Sequence, residues 1–145
     1  MILELSDWLF LVNHELAKAA YQEEVANHCN CPFCRNFYRA VDGTYPDLRY
    51  FLSRFSVNIE APESLVPMSA TLYQASYLAQ GKILRFGSEP LFINDVAVDF
   101  EDSTEPECFY INLGLMEFPW VIEDDMQTAA SSAAIQDYFS SFRKK

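Results

Sequence analysis

The run His28-Cys29-Asn30-Cys31-Pro32-Phe33-Cys34-Arg35-Asn36-Phe37 gathers three of the four cysteines and one of the two histidines of the chain into a few residues. Three chemistries suit it. Thiolates at Cys-x-Cys and Cys-x-x-Cys spacing hold zinc, two of them form a redox couple, and any of them fills a small apolar gap. For zinc, Cys29, Cys31 and Cys34 supply three ligands at the start of a helix, where the dipole and unpaired amides stabilise sulfur anions. A closed structural site needs a fourth ligand, and the candidates are His28, His14 and Cys108.

For redox chemistry, Cys31-Pro32-Phe33-Cys34 matches the Cys-Pro-x-Cys site that opens the first long helix of glutaredoxin-like proteins, and Arg35 is adjacent to support a Cys31 thiolate. The setting opposes it, because such a site should follow a buried strand and residues Gln22 to Asn30 are polar and helix-forming. Other catalytic patterns are missing. His14 and His28 are the only histidines and there is no Gly-x-Ser-x-Gly elbow. The carboxylate runs Asp99-Phe100-Glu101-Asp102 and Glu123-Asp124-Asp125 do not match a calcium loop, and glycines at 43, 81, 87 and 114 stand singly, so no phosphate cradle forms. Aromatic residues make up 15% of the chain. Tyr73, Tyr77, Tyr110, Phe118 and Trp120 suit either a ligand groove or a core, and Trp120, with Phe118 and Tyr110, is the candidate interaction anchor.

The elements that must position these residues follow from periodicity. Met1 to Val12 holds two short apolar runs around Ser6-Asp7, which predicts a hairpin or bent strand. Helix formers from His14 to Ala26 behind Asn13 as N-cap predict a first helix. Cys34, Phe37, Tyr38 and Val41 predict a second from Pro32 to Asp42-Gly43, and Leu48, Phe51, Leu52 and Phe55 a third opening at Pro46. Pro62, Ser64 and Pro67 mark a loop. Strands are predicted over Thr71 to Ile83, Leu84 to Phe86, Pro90 to Phe100 and Cys108 to Met116, the last with Phe109, Ile111, Leu113 and Leu115 inward. Ile135, Tyr138, Phe139 and Phe142 predict a terminal helix over Met126 to Phe142.

Composition limits the partners. The chain has 145 residues, half of them hydrophobic, enough for one domain spanning 1–145 with one core. Its net charge of −11 disfavours nucleic acid and anionic membrane surfaces and suits a basic protein. Glu4 and Asp7 interrupt the first apolar residues, no basic segment precedes them, and no stretch approaches the ~20 apolar residues of a membrane helix. The chain therefore reads as cytoplasmic, with reduced thiols.

Cys29-Asn30-Cys31-Pro32-Phe33-Cys34-Arg35-Asn36-Phe37-Tyr38, with Tyr45-Pro46-Asp47-Leu48, Phe55 to Glu63 and the late Glu117-Phe118-Pro119-Trp120-Val121, resembles a family of small uncharacterised bacterial proteins. That family carries a Cys-x-Cys-x-x-Cys-Arg/Lys-Asn-aromatic stretch and a late Pro-Trp element. The resemblance covers the first sixty residues and the late element, and implies a free-standing cytoplasmic domain with no activity attached. The expected architecture is α+β: an N-terminal hairpin and three helices followed by an antiparallel sheet covered by a C-terminal helix. The expected function is non-enzymatic binding of a protein. The alternatives are a small zinc-stabilised domain using Cys29, Cys31, Cys34 and His28, and a thiol oxidoreductase using Cys31 and Cys34.

Overall fold

Ser6 and Asp7 close the first hairpin, joining β1 (Ile2–Leu5) to β2 (Trp8–Val12) in the computed structural model, which describes residues 1–17, 31–69 and 71–123. Ser6, at φ 55°, supplies the left-handed residue that a two-residue turn of native twist requires. Residues 14–17 then begin a helix, and the Asn13 side chain accepts from the Leu16 amide at 3.1 Å, as a cap should. The rest of that predicted helix lies outside the described residues. So does the predicted helix over Met126 to Phe142.

Helix α1 (Pro32–Thr44) starts where proline costs no hydrogen bond and buries Phe33, Cys34, Phe37, Ala40 and Val41 along one stripe. It runs past Gly43 and stops ahead of Pro46, which disfavours helical backbone at the residue before it. Helix α2 (Leu48–Ser53) is shorter than its apolar spacing predicts. Its end is a Schellman turn: the Val57 amide donates to Leu52, the Ser56 amide to Ser53, and Ser56 takes φ 56°.

Five strands follow: β3 (Ser64–Pro67), β4 (Leu72–Arg85), β5 (Leu91–Ile93), β6 (Val96–Asp102) and β7 (Cys108–Glu117). The expected α+β arrangement is corrected here. Among the described residues the chain is mostly one antiparallel sheet of seven strands, ordered β1-β2-β4-β7-β6-β5 with β3 also paired to β4, and its helices are few and short. The hairpin is part of this sheet because β2 pairs with the far end of β4. The predicted loop at Pro62 to Pro67 contains a strand, with Pro67 at its end, where a missing amide is tolerated. The predicted strand over Pro90 to Phe100 is two strands, because Asn94 (φ 49°) and Asp95 (φ 68°) make a two-residue turn between paired Ile93 and Val96. Thr71 to Ile83 and Leu84 to Phe86 join into one strand through Gly81. At φ 143° this residue passes so close to β2 that a Cβ would sit 1.9 Å from the Leu11 carbonyl oxygen.

One face of the sheet packs on the helices. Phe10, Phe55, Phe100 and Phe109 meet there, with ring centroids from 4.6 to 6.1 Å apart. Tyr73 and Tyr77 belong to this core, and burial pushes the Tyr73 phenol up to about 12. The Tyr77 hydroxyl donates to the Ile59 carbonyl at 2.6 Å, and burial raises its pKa well above the ordinary value. Along β7, Phe109, Ile111 and Leu113 point inward as predicted, but Leu115 does not. Pairing Tyr73 with Met116 and Ala75 with Leu113 leaves one extra residue on β7, so Met116 turns in and Leu115 turns out, 54% exposed.

Candidate functional site

The cysteine run does what its sequence promises at one point: Cys31 is the N-cap of α1 and Cys34 sits one turn on, buried. Every strand pairing is antiparallel, so Cys31-Pro32-Phe33-Cys34 has no parallel βαβ frame among the described residues. Nor, among those residues, do three or more His, Cys, Asp or Glu side chains gather as a metal site. His28 and Cys29, which the zinc reading also needs, lie outside them. Cys108 is used elsewhere: its thiol points at the Ser103 hydroxyl, 3.4 Å away, and braces the β6–β7 turn. His14 meets the Ser56 hydroxyl through Nδ1, while its Nε2 is buried with no hydrogen-bond partner among the described residues.

The two motif segments that seemed separate in sequence touch in the fold. Asn36, fully buried on α1, donates from Nδ2 to the Pro119 carbonyl at 3.1 Å and accepts the Val121 amide on Oδ1 at 2.7 Å. Trp120 lies half-buried against Phe33, with ring centroids 5.8 Å apart. Phe118 is 1% exposed and packs edge-on against Phe37 and Tyr45, so it has no surface to offer a partner. Tyr110 stands apart from both, on the opposite side of the sheet beside Leu78 and Glu101. The three candidate anchors therefore do not form one patch.

Among the described residues that opposite side is open. Both helices pack on the other face, and the outward side chains of β3 to β7 are half-buried or exposed. Register sets Ser64, Ser76, Asn112 and Asp99 side by side on four neighbouring strands, a polar row about 14 Å long at ordinary strand spacing. The Ser76 hydroxyl donates to Asn112 Oδ1 at 2.7 Å. A groove of about 410 Å³ runs over this row, between Val66 and Pro90 and past Ala97 and Gly114. Gly114 makes room for it, since a Cβ there would press to 3.3 Å from the Ala97 carbonyl oxygen. On β6 and β7 the charge of the face has one sign: Asp99, Glu101 and Glu117 point outward and no lysine or arginine occurs between Arg85 and Arg143, while exposed Lys82 stands at the far end of β4, where β2 pairs. That long gap in basic residues was the signal in the sequence, masked when charges were weighed over the whole chain.

No helix among the described residues is long and apolar enough to cross a membrane. In comparisons with family models, curated proteins and solved structures, the chain matches none of them.

Proposed function

We propose that this chain is a non-enzymatic interaction domain of the cytoplasm that binds a basic protein through the open face of β3 to β7. The observation that carries this is the single sign of the β6–β7 part of that face, where Asp99, Glu101 and Glu117 project and no basic side chain occurs between Arg85 and Arg143, Lys82 standing apart at the far end of β4. Such a field raises the encounter rate with a cationic surface and repels nucleic acid. Tyr110 and Leu78, paired across β4 and β7 on the same face, add the amphipathic contact area that interfaces favour.

Affinity capture with the whole chain tests it. Bound protein should be basic, should elute with rising salt, and should be lost when Asp99→Lys and Glu101→Lys are combined. Capture that ignores both salt and the charge reversal would remove the proposal.

A further inference from the structure

We infer that the groove on the open face is a socket for one lysine or arginine side chain of the bound partner, with Asp99 as its counter-ion; this rests on the interaction reading above and narrows it to a single contact. Three features lead there. The volume, about 410 Å³, is within the range of small-ligand sites and so has room for a side chain entering from a partner. The walls are apolar where a side-chain stem would lie, at Val66, Pro90 and Ala97, and polar along the row that ends in Asp99. Lysine and arginine have that distribution, with an aliphatic stem and a charged tip that keeps its hydrogen bonds.

The polar groups also select against the alternatives. Ser76 spends its proton on Asn112 Oδ1, which leaves the Ser76 oxygen able to accept and the Asn112 Nδ2 able to donate, while the Asp99 carboxylate accepts only, taking the Phe100 amide on Oδ1 at 2.9 Å and keeping its other oxygen for a ligand. A cation with several N–H donors satisfies those acceptors. A carboxylate or phosphate would meet the Asp99 charge with no basic side chain lining the groove to offset it. A purely apolar side chain would strip water from Asp99 and Asn112 without replacing its hydrogen bonds. Shape is set by Gly114 beside Ala97, the two small residues that leave the floor open.

The test is a titration of the ¹⁵N-labelled whole chain with Nα-acetyl-arginine amide, Nα-acetyl-lysine amide and the neutral Nα-acetyl-citrulline amide, followed by amide shifts. The cationic probes should give saturable shifts centred on Ser76, Asn112 and Gly114, with millimolar affinity as expected for so small a contact. Asp99→Asn should raise the Kd about fivefold, the upper range for a solvent-reached ion pair. Ala97→Leu, whose side chain points outward, should abolish the shifts while the spectrum stays dispersed. Equal shifts with citrulline amide, or an unchanged Kd in Asp99→Asn, would overturn the socket. If the probes leave the groove untouched while charge reversal still abolishes capture, the socket falls and the interaction face stands. If the probes fill the groove while capture ignores charge reversal, the socket stands as a site and the partner reading falls.

Discussion

Replacing Asn36 with alanine should release the segment that crosses α1 at Pro119 to Val121. The side chain is fully buried and makes two hydrogen bonds to that segment, at 3.1 and 2.7 Å. Each contributes about 1 kcal/mol net, and the void left by the amide adds roughly another. Pro119 and Val121 are themselves exposed, so water can take over the carbonyl and amide left behind, which holds the total to about 2–3 kcal/mol. For a chain of this length that lowers Tm by about 5–10 °C. Urea denaturation gives the energy, and acrylamide quenching gives the place: Trp120 should become more accessible, while Trp8, 3% exposed, should not. Asn36→Asp sharpens the test. A carboxylate keeps the acceptor for the Val121 amide but turns a second oxygen on the Pro119 carbonyl. Burial raises the pKa of that carboxyl in the folded state, so the variant should gain stability as pH falls and lose it as pH rises through the raised value. A loss below about 0.5 kcal/mol in Asn36→Ala, or a large loss with no change in Trp120 quenching, would refute the idea that one amide ties the two segments together.

Three further outcomes are expected. Ser56→Ala should cost about 1 kcal/mol more than Ser56→Gly in urea melts, because both lose the bond to His14 but only glycine is at ease at φ 56°. The Ser88 hydroxyl and amide hold the Asp7 carboxyl below the usual carboxylate range, so the stability this contributes is present above the ordinary aspartate pKa and is lost as pH falls through the lowered one; the gap in Tm between wild type and Asp7→Ala should close on acidification. Gly81→Ala should be among the most damaging single changes in the sheet, costing over about 3 kcal/mol or preventing soluble expression, since its Cβ would meet the Leu11 backbone at 1.9 Å.

Local signals in the sequence reached local structure. Ser6-Asp7 announced the hairpin, Asn13 the cap and Pro32 the start of α1, each through chemistry confined to a few residues. Parity carried the core face of β7 only as far as Leu113, because a bulge leaves no mark in apolar alternation. β3 was illegible for another reason: four residues ending in proline show no period, and only pairing with β4 makes them a strand. Asn94-Asp95 was a legible turn that went unread within a longer apolar stretch. At the candidate site, Tyr110 lies on the open face, whereas Phe118 belongs to the core, and nothing local distinguishes two aromatic residues in those positions. The polar row needs strands that register brings together from residues 64, 76, 99 and 112, so no contiguous motif encodes it.

The length of β4 has a consequence for the chain during synthesis. Residues 81–85 are the partner of β2, so the first hairpin, complete by residue 12, must wait for more than half of the protein to leave the ribosome before its outer edge is paired. Two strands alone are marginal in water, and an unpaired edge with Ile2 and Leu11 outward invites association between nascent chains. Translation speed up to residue 85, and chaperone occupancy of the early chain, should therefore govern soluble yield more strongly than the stability of the finished fold does.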